Sequence, residues 1–544
     1  MEAYNLLMSL RTALANKAAV CPGRAADHTT IRSAIISVVH RTSIQLLSMA
    51  MVFCFSAPAI WGQTKATVAA PSVSPAATMG QWAAPVNFCA SDPCLVGANA
   101  AVLHTGQVLF YYYPAGGKQN SQAVLLDPVT GKVTDVSLPV SRDIFCSGLT
   151  ILPNGKVLVT GGVVEGTNHG SHIDNDGTTS TMLFDPELST WSVGQDMNYA
   201  RWYPSSIELS DGTVIELSGS DETGLKIQLA LESYGYSTGK WTDLPASANM
   251  PSTLVQTYPR MSLLPSGKVF MSSPNPQSYL FDPSTNTWTL VAATNFGYRY
   301  FAPHVLLPGQ EKILVAGGSL THANGGSAST PTAEVIDMSA THPAWNYTSS
   351  MTYSRYNENL VLLADGTVLA VGGGGGFGEY TNPILTPELY DPKTAQWTVM
   401  SPQTVQRTYH STAVLLPDGR VVSSGSDNHA STDITYEIFS PPYLFKGARP
   451  VIQSPPTSLI YGAKFNITTP DASTITRVAL VKPGATTHAD DFDQRYVDLA
   501  FTVGAKGVQA TAPANGNQAP PGYYMLVIVN SSGVPSVMPF LQLY

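Results

Sequence analysis

The stretch VLLADGTVLAVGGGG, residues 361–375, sets two apolar runs on either side of an Asp-Gly turn and ends in a run of glycines. Such runs joined by a Gly-containing turn form a β-hairpin, because the turn needs a positive φ that glycine takes without strain. The pattern recurs at AAVLHTGQVLFYY (100–112), LTILPNGKVLVTGG (149–162), IELSDGTVIELSGS (207–220), SLLPSGKVFMSS (262–273), VLLPGQEKILVAGG (305–318) and VLLPDGRVVSSGS (414–426). Most copies lead into a second strand-like unit of the form LFDPxxxxW, in which Asp185 precedes Trp191, Asp282 precedes Trp288 and Asp391 precedes Trp397.

A repeat of about 50 residues with four strands per copy marks a kelch-type β-propeller. No blade buries both faces alone, so the blades close into a ring. Seven copies predict seven blades over residues 80–447, the copy with GQEK at its turn being the least regular. After SPPYLFKGARP (440–450) the repeat stops. Short alternating strands such as RVALVKP and GYYMLVIVN then predict an immunoglobulin-like sandwich over residues 448–544. The expected fold class is all-β: a seven-bladed kelch-type β-propeller followed by an immunoglobulin-like β-sandwich.

Composition agrees with that reading and narrows function. Charged residues are 12% of the 544, while 45 Gly and 40 Pro supply turns and 25 Tyr outnumber 17 Phe. A net charge of -9 with no basic run gives little attraction for phosphate backbones, so nucleic acid is not an expected partner. HRTSIQLLSMAMVFCFSAPA (40–59) has basic residues, an apolar run from Ile44 to Phe55 and a small-residue site at Ala57–Ala59, the order of a signal peptide. The run is shorter than the roughly 20 residues of a spanning helix. Residues 1–62 are therefore a leader, and the mature protein is expected to be secreted or periplasmic, without stable membrane insertion, and a monomer. Residues 63–79, rich in Ala, Pro, Ser and Thr, are expected to be flexible, with folding starting near Gly80. Export favours a local disulfide between Cys89 and Cys94 in CASDPC, which leaves Cys146 as an unpaired thiol beyond the leader.

Cys146 lies in RDIFCSG (142–148), just before the first strand of its blade. Tyr203 in ARWYPSS (200–206) and Tyr409–His410 in RTYHSTAVLLPDGR (407–420) occupy the same place in theirs, whereas RYNEN (355–359) offers no comparable ligand there. Propellers carry function on loops at one end of the channel, so equivalent blade entries converge in space. In the second domain, His488 sits in the acidic loop KPGATTHADDFDQR (482–495). Each of these residues alone has an ordinary structural role, a loop histidine such as His488 being more often solvated; the shared position of Cys146, Tyr203 and Tyr409–His410 is what selects those.

With RDIFCSG, ARWYPSS, RTYHSTAVLLPDGR, TTHADDFDQR and the closing PPGYYMLVIVNSSGVPS (520–536) in that order, the chain from Gly80 onward resembles the copper radical oxidases, the galactose oxidase and glyoxal oxidase family. The resemblance implies one copper per chain, with Tyr203 as equatorial ligand, Tyr409 axial, and His410 and His488 as imidazole ligands. It implies a thioether between Cys146 and Tyr203 that makes a protein-derived radical cofactor, with Cys146, Tyr203 and Tyr409 as catalytic residues. Imidazole and phenolate donors suit Cu(II). The implied reaction is two-electron oxidation of a primary alcohol or aldehyde, carbohydrates being within the family's range, by O2 to give an aldehyde or carboxylic acid and hydrogen peroxide, with Tyr409 as general base.

One departure stands out. The family tryptophan that covers the crosslinked tyrosine is absent from the matching loop LSGSDETG (217–224), where Asp221 stands instead. Trp202, and the loop EGTNHGSHIDNDG (165–177) with His169 and His172, are candidates for the shield, though core packing and solvation are their ordinary roles. The alternative to an oxidase is a non-catalytic propeller that binds extracellular glycans. A glycan hydrolase needs paired carboxylates that these motifs lack.

Overall fold

A computed structural model describes residues 74–544 except 89–94, 113–119, 165–175, 254–255, 273, 322–327, 377–379, 428–432 and 506. The leader, most of residues 63–79, the Cys89–Cys94 pair, and His169 and His172 lie outside the described residues.

The inner hairpins form where the repeat places them. Gly106, Gly155, Gly212, Gly267, Gly309, Gly366 and Gly419 all take φ between 79° and 93°. The irregular fifth copy differs in one respect: Gln310, after Gly309, also takes a positive φ of 62°, and its amide oxygen accepts from Arg495 of the second domain at 2.7 Å. Each hairpin is the inner half of a sheet, as in Tyr356–Leu362, Val368–Gly374, Glu388–Asp391 and Gln396–Val399, paired antiparallel in that order. Seven such sheets occur among the described residues. The aspartates of the outer turns cap those turns: Asp185 accepts from the amides of Glu187 and Leu188, and Asp282 from Ser284.

Neighbouring blades are joined by the outer-strand tryptophans. The indole N–H of Trp191 donates to Val136 O, Trp288 to Ala248 O and Trp397 to Ser349 O, in each case a residue of the preceding blade. The first and last parts of the propeller meet in one sheet, where Gln81–Trp82 pairs with Thr435–Ser440 and Trp82 lies opposite Phe439. Order begins slightly before Gly80: Pro75–Met79 form one helical turn in the stretch expected to be flexible, with Pro at its start, where a missing N–H costs nothing.

Strands Ser458–Leu459, Ile475–Lys482, Arg495–Asp498, Gly522–Asn530 and Phe540–Leu543 form one sheet of the second domain, and Lys464–Thr468, Phe501–Gly504 and Gly507–Thr511 the other. Between its strands this domain sends out a hairpin, Ala485–Thr487 and Asp490–Asp491, which pairs with Asn99–Val102, the innermost strand of the first blade. That hairpin also lies against the inner strands of the second and last blades, so it occupies the channel. Its base is anchored by buried charge: Lys482 reaches Glu208 and, at 3.1 Å, Asp493, which also accepts from Thr150 and the Ile151 amide.

Candidate metal centre

The blade entries share a backbone conformation that no spacing argument reveals. Cys146, Tyr203, Tyr258, Phe301, Asn357 and His410, one before or at the start of each of six inner strands, have φ between 47° and 64°. A non-glycine residue in that region is strained by roughly 1–2 kcal/mol, and such strain collects at functional sites. Backbone bonds link the entries into a collar: Tyr203 N–H donates to Cys146 O, Tyr258 N–H to Tyr203 O and Asn357 N–H to Phe301 O, each at 3.0 Å. Four entries are held from behind by a buried arginine paired with a glutamate on the third strand of the same blade. The pairs are Arg201–Glu232 (3.1 Å), Arg299–Glu334 (2.7 Å), Arg355–Glu388 (2.9 Å) and Arg407–Glu437 (3.7 Å).

The collar turns its side chains onto the channel axis, where the second-domain hairpin delivers His488. All five residues singled out from the sequence are brought together. Cys146 Sγ lies 3.4 Å from His488 Nε2 and 4.0 Å from His410 Nε2. The Tyr203 and Tyr409 hydroxyls are in hydrogen-bond contact, and the Cys146 thiol contacts the Tyr203 hydroxyl. The Tyr409 and His410 rings stack at 3.8 Å, and the His488 ring stands edge-on to Tyr203, Tyr409 and His410. Cys146 is fully buried, and Tyr409, His410 and His488 nearly so.

The hydrogen bonds behind the imidazoles settle which nitrogen faces the centre. Thr487 Oγ1 donates its one proton to Ala98 O at 2.8 Å, so at 2.6 Å from His488 Nδ1 it can only accept, and His488 carries its proton on Nδ1. Asp427 Oδ2, 3.3 Å from His410 Nδ1, accepts in the same way. Both Nε2 lone pairs therefore point inward, the arrangement in which an outer carboxylate or hydroxyl orients a ligating histidine. Burial, with the neighbouring His410 ring and the Arg260 guanidinium, holds His488 well below the usual histidine range. Burial, then the neighbouring Cys146 and Tyr409, pushes the Tyr203 hydroxyl up, and burial does the same to the Cys146 thiol. Two imidazole nitrogens and two phenol oxygens, buried and neutral, are a donor set that a dication entering the site would complete by displacing phenol protons.

Two residues were under-read from the sequence. Trp202 stacks on Tyr203 with centroids 3.8 Å apart and planes 15° apart. The ring missing from residues 217–224 thus has a counterpart in the residue just before the tyrosine, which also packs against the buried core around Cys146. Tyr258 leans over Tyr203 at 4.7 Å and over His488 at 4.8 Å, and its hydroxyl donates to Ser147 O at 2.9 Å. The signal for it was present: Tyr258–Pro259 repeats the Tyr203–Pro204 dipeptide at the next blade entry.

A propeller whose blade entries and a sandwich-domain hairpin together enclose N2O2 donors beside a thiol defines a candidate mononuclear metalloprotein. Residues 118–443 match the family described as glyoxal oxidase N-terminus, and residues 449–543 match the galactose oxidase-like, Early set domain. The chain belongs to the glyoxal oxidase and galactose oxidase family. It is 30% identical over 505 residues to a galactose oxidase of Gibberella zeae, covering 85% of this chain and 70% of that protein. It is also 30% identical over 470 residues to the aldehyde oxidase GLOX of Vitis pseudoreticulata, covering 78% and 86% respectively. Among solved structures it is similar to a fungal alcohol oxidase described as having catalytic diversity among the AA5 family and in complex with copper, with a TM-score of 0.74, 26% identity, and coverage of 86% of this chain and 100% of that one.

Proposed function

We propose that this chain is a copper-dependent oxidase that takes two electrons and two protons from a primary alcohol or aldehyde and passes them to O2, releasing hydrogen peroxide. The observation that carries the reading is the inward convergence of the His410 and His488 Nε2 atoms on the Tyr203 and Tyr409 hydroxyls beside the Cys146 thiol. His410, His488, Tyr203 and Tyr409 are the residues that would hold the copper. The metal, when bound, supplies one-electron redox and acidifies an oxygen bound to it.

The second electron is the task of Tyr203 joined to Cys146. Forming that C–S bond removes the thiol hydrogen and one ring hydrogen together with two electrons, which O2 accepts. The ortho sulfur lowers the potential of the phenol, and the Trp202 and Tyr258 rings keep water from its faces. Tyr409 Oη takes the hydroxyl proton of the bound alcohol, being the second phenol oxygen at the centre. The leader supports export, with the mature protein acting as a monomer outside the cytoplasm.

The test is intact mass after loading with Cu(II) in air. The protein is expected to lose the mass of two hydrogens, Cys146→Ala to lose none, and only the former to release peroxide on a panel of alcohols and aldehydes. Unchanged mass, no bound copper and no peroxide would leave a non-catalytic glycan-binding propeller.

A further inference from the structure

The centre opens onto a cavity of about 260 Å3 that touches Tyr203 and His488. Its walls are the rings of Tyr258, Tyr300 and Phe301 with the side chains of Ile227 and Pro274. Tyr300 is backed from the solvent side by Tyr298, the two rings stacked at 5.5 Å with planes 8° apart. Phe301 meets the Tyr409 ring edge-on at 5.7 Å, which sets an apolar wall beside the proposed base.

Among the described residues, the polar groups of this cavity are largely committed to the protein. Arg260 is its charged side chain, yet its Nε donates to Ala302 O (3.1 Å), Nη1 to Tyr258 O (2.9 Å) and Nη2 to His488 O (2.9 Å), with Asp490 Oδ2 3.4 Å from Nη1. The Tyr258 hydroxyl is given to Ser147 O, and the Tyr203 hydroxyl to the metal site. Gln256 and Thr257 remain as polar lining.

We propose that the substrate of this site is an aryl-methanol or the corresponding aromatic aldehyde, rather than a hexopyranose or an anionic oxo acid. The inference rests on the oxidase reading above. A flat ring lies against Tyr300 and Phe301 and directs its carbinol carbon to Tyr203, with ArCH2OH and O2 giving ArCHO and H2O2. A hexopyranose would bring a hydroxyl on nearly every carbon into a space with few donors left, each unpaired one weakening binding by roughly tenfold or more. A carboxylate would meet an Arg260 that has already given three of its five N–H groups to carbonyls and has Asp490 beside Nη1.

The experiment measures peroxide release by the copper-loaded full chain on benzyl alcohol, galactose, glyoxylate and 1-propanol. Benzyl alcohol is expected to exceed galactose in kcat/KM by about 100-fold or more. Phe301→Leu, and separately Ile227→Asn, are expected to lower the ratio of benzyl alcohol to 1-propanol by about tenfold, mainly through KM. Galactose or glyoxylate matching benzyl alcohol, or a ratio unmoved in both variants, overturns the substrate class while leaving the oxidase. Peroxide from none of the four, with copper bound, overturns both.

Discussion

Arg260 sits where one substitution should strike the fold and the metal site together. Its guanidinium gives three buried hydrogen bonds to carbonyls, those of Tyr258, Ala302 and His488, and so ties two blade entries to the hairpin of the second domain. Arg260→Met keeps most of the volume while removing all three donors. Leaving a buried acceptor without a partner costs about 1–3 kcal/mol each, so the three together are worth ~3–9 kcal/mol. Asp490 does not enlarge the figure, because burial already holds it up to about 7 and at pH 6 it is mostly neutral. Urea unfolding at pH 6 is expected to show a lower midpoint at unchanged slope. Copper affinity, followed by competition with a chelator, is expected to fall about 10- to 100-fold, the usual cost of losing an outer-shell support. An unchanged midpoint would show that water or a neighbouring donor replaces the guanidinium. Unchanged copper affinity would show that Thr487 alone positions His488.

Tyr409→Phe is expected to keep copper and lose peroxide production by at least about 100-fold, as removal of a general base does; full turnover would exclude Tyr409 as the base. Trp202→Ala is expected to cost ~1–3 kcal/mol, since the ring is only half-buried, and to shorten the lifetime of the tyrosyl radical seen by electron paramagnetic resonance. Copper loading is expected to release protons and to tighten from pH 6 to 8, because burial raises the Tyr203 hydroxyl and a cation must displace its proton; calorimetry in buffers of different ionisation enthalpy counts them. Burial lifts Glu358 from 4.5 to about 8, so the folded state binds a proton that the unfolded chain releases, and its stabilising effect, complete below pH 4.5, is lost as pH rises to 8. The loss is bounded at ~5 kcal/mol. Glu208, Glu216 and Asp490, each near 7, act in the same direction. The melting temperature should therefore fall from pH 5 to 8, and Glu358→Gln should flatten the fall above pH 7.

The ring was legible because its strongest determinants are local. A glycine with φ near 85° is demanded by each inner hairpin, and an Asp caps most outer turns, so the blades announce themselves. Cys146, Tyr203, Tyr409 and His410 could be selected because equivalent repeat positions superpose in a closed ring, whereas His488, outside the repeat, was reached through the family resemblance. What escaped were features that neither the repeat nor strand alternation announces. The glutamates that pin Arg201, Arg299, Arg355 and Arg407 lie some thirty residues downstream on a third strand and look like ordinary strand-edge charges. Trp202 reads as a core residue because alternation along a strand would turn it away from Tyr203. The positive φ of Tyr203 breaks that alternation and lays one ring on the other.

The pairing of Gln81–Trp82 with Thr435–Ser440 and the seating of residues 485–491 against Asn99–Val102 give the molecule an order of assembly. The first strand of the propeller, Gln81–Trp82, must wait for more than 350 residues before its partner strand exists, and His488 follows later still. Until then the collar lacks one of its two imidazoles. On the proposed reading, Cys146 and Tyr203 meet a complete set of metal donors only once residues 485–491 are seated, so the bond between them would form after the fold has closed.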